Sequence, residues 1–454
     1  LEQLLEDVVP EPKAIYGTYA QSFGQDRVVP VLLGSGEAQN GIVRLWKTLR
    51  HDTPGPDVTA RRRKIDTKEA PVVEAFKSLH AAHAGKLTLA RIWAGGLAEG
   101  ESLGGFRVGG LAHVVGSKQE KTDKAGPGEV IALGRLDEVQ TGETLMKSKH
   151  EKMAADWPVL DPVYALALIT EKREDEVRLT EALHKLIEED ASYQVEQNAE
   201  THELVLWGQG EMHLRVAIER LQNRYNISVK TKPPRVAYRE TIRKPVKQHG
   251  RHKKQSGGHG QFGDVHLEIV PKPRGSGFEF VDKVVGGAVP RQFIGSVEAG
   301  VREYLQKGPL GFPVVDLSVC LFDGQHHAVD SSDQAFRAAA QLAMREGMPQ
   351  GNPILLEPIY KVVIHVPAEY TSKATKLVTG RRGQILGFEA NETRKGWDDL
   401  QAYLPQAEMH DLIIDLRSLS QGVGNYSFVF DHLAELTGKE AGRVIGQHAA
   451  SDAG

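Results

Sequence analysis

The chain has 454 residues, of which 26% are charged and 40% hydrophobic, with 47 Gly and 22 Pro. This is a globular composition and excludes a low-complexity or collagen-like chain. No stretch approaches the roughly 18 consecutive apolar residues of a membrane helix. The single cysteine, Cys320, excludes a disulfide framework and fits a reducing, cytoplasmic compartment. With 56 basic against 60 acidic residues the net charge is −4, so any nucleic-acid contact must come from local patches.

At roughly 150 residues per domain, the length predicts about three domains. Residues 1–60 read as the end of an α/β domain. The apolar run 28–33 predicts a buried strand, and Gly34, Ser35 and Gly36 a turn. Ile42, Leu45 and Leu49 mark a helical stripe. Thr53-Pro54-Gly55-Pro56 is a linker signal. A lone terminal β-α unit has nowhere to bury its faces, so a larger partner upstream is expected. Residues 61–155 are dense in glycine, with short alternating runs at 87–93 and 129–133, and predict a β-barrel.

Residues 156–232 read strand, helix, strand, strand, helix, strand. The first helix carries Leu179, Ala182, Leu183, Leu186 and Ile187 on one face. The second carries Leu214, Ile218, Leu221 and Tyr225. That order is the split β-α-β pattern of ferredoxin-like domains. Residues 356–431 repeat the order without repeating the sequence. Between them, residues 233–355 predict a mixed α+β domain. A terminal helix over 433–444 is expected to dock on it, which assigns 432–450 to the same domain.

Residues 241–255, TIRKPVKQHGRHKKQ, contain Arg243, Lys244, Lys247, Arg251, Lys253 and Lys254 and no acid. Ser256, Gly257, Gly258, His259, Gly260 and Gln261 follow. A basic run feeding a glycine-rich loop lets backbone N–H groups approach phosphates closely. The bland alternative is a solvated charged hairpin. His249, His252, His259 and His266 raise a metal site, but no cysteine is near and the lysines repel cations, so no metal is expected. His326, His327, Asp330, Ser331 and Ser332 precede a helix starting near Gln334. Asp330, Ser331 and Ser332 read as N-capping residues beside two surface histidines rather than as a hydrolase triad, because no Gly-x-Ser-x-Gly elbow occurs. Arg381 and Arg382, between Gly380 and Gly383, form a turn suited to a phosphate fork or, equally, a basic helix C-terminus. No catalytic residue is expected. Neither a P-loop nor Asn-Lys-x-Asp is present.

Several runs, in this order, resemble bacterial elongation factor G. They are Val29-Pro30-Val31-Leu32-Leu33-Gly34-Ser35, Gly85-Lys86-Leu87-Thr88, and Gly208 to Leu214 (GQGEMHL). Val236 to Thr241 (VAYRET), Lys253 to Gly263 and His327 to Ser332 continue the match. Gly308-Pro309-Leu310, Glu357-Pro358-Ile359, Arg381-Arg382-Gly383 and Leu416 to Gly422 complete it. The resemblance implies a multidomain α+β/β chain. Its parts would be the end of a GTPase domain, a β-barrel, and two ferredoxin-like domains flanking an elongated arm. It further implies GTP-driven translocation of transfer RNA (tRNA) and messenger RNA (mRNA) on the ribosome, with a related role in ribosome recycling; the alternatives are a ribosome recycling or ribosome-protection factor, or a stand-alone RNA-binding protein. Tip loops with Ser256, Gly257, Gly258, Gln261, His327, Asp330 and Ser331 would approach tRNA and mRNA. Arg251, Lys253, Lys254, Arg381 and Arg382 would contact ribosomal RNA. Ser35 and Gly36 would touch the guanine base, and GTP and Mg would bind through a domain whose motifs this chain lacks. The chain is thus expected to correspond to the carboxyl-terminal two-thirds of such a factor. His259, where the family usually has Arg, and Val423, where a basic residue is common, give it the look of a divergent paralogue.

Overall fold

A computed structural model describes residues 11–65, 68, 70–81, 85–116, 118–148, 150–152, 160–254 and 260–452. The chain forms two compact units: residues 1–160, 170–194 and 216–229, and residues 161–169, 195–215 and 230–454.

The first unit opens with helices Pro12–Gly24, Ile42–Lys47 and Pro56–Arg62. The strand expected over 28–33 does not form. Val29, Val31 and Leu33 are 82, 83 and 90% exposed. A strand needs a ladder partner, and the only pairing of residues 11–65 among the described residues is the bridge Ser35–Asn40. The region expected to be a barrel is a seven-stranded antiparallel sheet. Its order is His150–Lys152, Glu143–Leu145, Val72–Ala81, Gly85–Ala94, Val130–Gly134, Leu111–Val115, Lys118–Thr122. Its end strands do not pair with each other among the described residues, so no closed barrel is seen. The edge strand Lys118–Thr122 reads KQEKT and is mostly exposed, and charged edges resist further pairing.

Two buried acids hold this unit. Glu74, 3% exposed, accepts two hydrogen bonds from Arg63 at 2.9 and 3.1 Å and one from Trp93 Nε1 at 2.6 Å. Helix Asp175–Glu189 buries Leu179, Ala182, Leu183 and Leu186, as its spacing requires. Its last residue, Glu189, accepts the His80 N–H at 2.9 Å and both oxygens take Arg224 Nη1, at 3.0 and 2.9 Å.

In the second unit the strand order Gln194–Gln197, Leu204–Gly208, Tyr164–Thr170, Val229–Lys232 is the second-third-first-fourth arrangement of a split β-α-β sheet. The same arrangement recurs as Gln384–Ala390, Trp397–Pro405, Pro353–Pro367, Asn425–Leu436. The arm between them carries the sheet Val246–Lys254, Gln261–Pro271, Leu317–Gln325, Glu279–Asp282, backed by helices Arg291–Tyr304 and Asp333–Gly347. Residues 433–436, expected to begin the terminal helix, instead finish the strand Asn425–Leu436, because Leu436 pairs with Leu355. The helix is Gly438–Asp452, and its Val444 joins Phe312, Leu355 and Leu436 in one core.

The arm helix Asp333–Gly347 lies unusually close to the sheet. Ala335, Ala339, Ala340 and Ala343 are fully buried. A Cβ at Gly250 would stand 2.2 Å from the Ala339 carbonyl oxygen, and one at Gly263 2.5 Å from that of Ala335. Only glycine permits that approach.

At the base of the arm, Glu240 is wholly buried and accepts the N–H groups of Leu310 at 2.8 Å and Phe312 at 3.1 Å. Burial pushes its carboxyl up to about 7, against the opposing pull of the backbone N–H groups. The folded protein thus keeps this proton where the unfolded chain, near 4.5, releases it. The stability contributed by protonated Glu240 is full below about 4.5 and is lost as pH rises to about 7. Denaturant unfolding of the natural chain and Glu240→Gln across that range checks this. The natural chain is expected to lose stability relative to the variant as pH rises, with a constant difference above about 7. A pH-independent difference would refute it.

Candidate nucleic-acid interface

The basic run folds into the hairpin Val246–Lys254/Gln261–Pro271, in strict register from Val246–Ile269 to Lys254–Gln261. Strand alternation sends Gly250 to the core and His249, Arg251 and Lys253 outward. The cations differ in their freedom. Arg243 pairs with Glu435 at 2.6 Å, and Lys247 with Glu268 at 3.4 Å. Arg251 Nε lies 3.7 Å from Asp264 Oδ2, and its guanidinium lies 5.5 Å from the Phe262 ring centroid. Lys253 and Lys254 are exposed and have no ion pair among the described residues. Lys244, at the base end of the run, is likewise exposed without an ion pair among the described residues, so two of the three unpaired cations, Lys253 and Lys254, lie at the distal end. Near that end, Gln261 Oε1 accepts a hydrogen bond from His252 Nε2 at 3.0 Å. Ser256, Gly257, Gly258 and His259 lie outside the described residues.

The second loop is tied to the hairpin by hydrogen bonds. Phe262 N–H donates to the Asp330 carbonyl at 2.8 Å, and Ser331 Oγ donates to the Phe262 carbonyl at 3.0 Å. Asp330 Oδ1 accepts the Gly260 N–H at 3.0 Å. His327 N–H donates to Ser331 Oγ at 2.9 Å, and His327 Nδ1 accepts from Asp330 N–H at 3.2 Å. Asp330 Oδ2 also lies 3.3 Å from that nitrogen; in the tautomer whose Nδ1 accepts, the proton sits on Nε2, which makes no hydrogen bond among the described residues. The His327 side chain is 56% exposed. Ser332, not Asp330 or Ser331, caps the helix, accepting Ala335 N–H at 3.3 Å. Ser331 Oγ is held by Phe262 and His327 backbone, which is no arrangement for a nucleophile.

The other expected residues lie elsewhere. Arg382 makes a bidentate pair with Glu357 at 2.8 and 3.0 Å and a further bond to Glu408 at 2.8 Å. Those carboxylates hold its pKa above the usual guanidinium range. Arg381 donates to the Glu408 carbonyl at 2.7 Å and pairs with Asp415. The expected phosphate fork is thus filled by this protein's own carboxylates, because the turn is part of the domain's internal packing. Ser35 Oγ accepts the Ala38 N–H at 3.1 Å in the turn before Gly41. Sequence reading missed Phe262 and Asp264. Strand alternation alone could have placed both on the outward face with His266.

The described residues thus set a basic arm with two interlocked tip loops between two split β-α-β modules. Family models match in succession: Elongation Factor G, domain III over residues 159–233, Elongation factor G, domain IV over 234–352, and Elongation factor G C-terminus over 354–444. An elongation factor G-like protein of Synechocystis sp. (strain ATCC 27184 / PCC 6803 / Kazusa) is 50% identical over 442 residues, 97% of this chain and 66% of that protein. A crystal structure from Thermus thermophilus superposes with a TM-score of 0.77 at 34% identity, covering 99% of this chain and 67% of that one. The chain belongs to the elongation factor G family. It spans about two thirds of the length of the relatives it matches.

The interlock makes a local prediction. Asp330→Ala is expected to raise hydrogen–deuterium exchange at Gly260 and in the adjoining loop, while global stability falls by no more than about 1–3 kcal/mol. Unchanged exchange there would show that Asp330 does not hold the tip.

Proposed function

We propose that this chain supplies the ribosome-binding and tRNA-moving part of a translational GTPase of the elongation factor G type, promoting translocation of tRNA and mRNA. The observation that carries the reading is the arm tip. Two loops far apart in sequence are locked by three hydrogen bonds, from Gly260 and Phe262 to Asp330 and from Ser331 to Phe262, and two more brace the second loop from within at His327, beside the unpaired Lys253 and Lys254. A pre-organised tip loses little entropy on contact with RNA, and the lysines supply phosphate attraction. The chemistry of GTP and Mg belongs to motifs that this chain lacks. What its own residues do is bind, position and push.

The roles then divide. Lys253, Lys254 and the partly shielded Arg251 attract the phosphate backbone. His327 offers an exposed Nε2–H to a ribose hydroxyl or phosphate oxygen, and Asp330 and Ser331 hold it there. Arg381 and Arg382 brace the last module through Glu357, Glu408 and Asp415, and contact ribosomal RNA only along whatever guanidinium edges remain free.

Replacing Arg251, Lys253 and Lys254 with Ala should weaken binding to intact ribosomes. The log–log salt slope should fall by up to about 1 for each phosphate no longer neutralised. An unchanged slope would make the hairpin an ordinary solvated surface. In a protein that also carries the GTPase domain, His327→Ala should slow translocation and leave ribosome-stimulated GTP hydrolysis nearly intact. Equal loss of both would point to a docking defect, and loss of neither would remove His327 from the mechanism.

A further inference from the structure

We propose that the outward face of the arm hairpin binds a divalent transition-metal ion of the zinc class through His249, Asp264 and His266. His249 and His266 are cross-strand partners, and Asp264 lies two residues before His266, so all three project from the same face. The two imidazole rings stack 4.2 Å apart at 8°. Both present Nε2 to one carboxylate: His249 at 2.9 Å from Oδ2, His266 at 3.8 Å from Oδ1. The three candidate ligand atoms lie within 4.8 Å of one another. The spacing His249-x-x-His252, by contrast, puts its two members on opposite faces of a strand.

Asp264 provides a second, independent observation. It is only 2% exposed, and its Oδ1 has no hydrogen-bond partner among the described residues. A buried carboxylate oxygen without a partner is costly. Here it is aimed at an imidazole nitrogen too far away to donate well. A cation shared by the two neutral imidazoles and this oxygen satisfies all three groups. Two nitrogens and one carboxylate oxygen are the ligand set zinc accepts, with a fourth position left to water.

The local charge has to be compatible. Arg251 is the opposing cation, but it approaches Oδ2 rather than Oδ1 and also rests on Phe262. Lys247 is neutralised by Glu268. On the other side, Asp323 pairs with His266 across the ladder and adds a negative charge beside the site. An ion here would staple the two strands below the tip without using any tip residue.

The test uses the untagged full chain, stripped with a chelator and titrated with zinc by calorimetry, with cobalt as a spectroscopic probe of coordination. One zinc per chain is expected, together with a raised melting temperature that chelator reverses. Loss of outer-shell partners alone weakens metal sites about 10–100-fold. His249→Ala and His266→Ala, both at solvent-accessible positions, should therefore weaken binding by at least about tenfold. His252→Ala, on the opposite face, should bind as the natural chain does. Asp264→Asn is informative only if it folds, so the histidine variants decide. No uptake at stoichiometric zinc, undiminished uptake in His249→Ala and His266→Ala, or equal loss in His252→Ala would each overturn the assignment.

Discussion

One fifteen-residue strand, Pro353–Pro367, organises the second unit. Its first residues pair with Arg239–Ile242, the segment that leads into the arm. Its later residues pair with Trp397–Pro405, and nearly its whole length pairs with Asn425–Leu436. Backbone ladders resist bending far better than loops do. The arm base and the last split β-α-β module are therefore joined by continuous sheet rather than by a linker. The terminal helix and Phe312 close the same junction with an apolar core.

Glu240 stands at that junction. Its carboxyl group accepts the N–H groups of Leu310 and Phe312, which otherwise would be buried without partners. The fold tolerates a buried acid there because the turn needs an acceptor. The same logic appears at Glu74, where Arg63 and Trp93 provide the donors, and at Glu189, where His80 and Arg224 do. Asp264 differs from these three: one of its oxygens has no donor. Asp52, Glu203 and Asp316 also carry such an oxygen, but among the described residues only that of Asp264 lies beside two imidazole nitrogens, which is why it points to a missing ligand.

Stiffness along the arm comes from small residues. Alanines on the helix Asp333–Gly347 meet glycines on the hairpin, so backbone packs nearly on backbone. Few side-chain rotamers are left to adjust, and displacement at the tip is transmitted to the base. An arm of that kind suits the proposed displacement of tRNA and mRNA, in which load at the tip is carried to the base.

Much of this was legible along the chain. Helical stripes such as Leu179, Ala182, Leu183 and Leu186 and the repeated strand–helix order follow from local periodicity, which a linear sequence records directly. So did the basic hairpin, because charge density is a local property. Tertiary structure alone decided which cations are free. Arg382 is consumed by Glu357, 25 residues away, whereas Lys253 keeps its charge unpaired. It also decided that 28–33 is not a strand and that 433–436 is, since a ladder partner lies outside any local window. The juxtaposition of His249 with Asp264 and His266, and of Gly260 with Asp330 across 70 residues, likewise arises only when the hairpin and its neighbour close. Periodicity is written residue by residue, but partnership between distant groups exists only once the chain has folded.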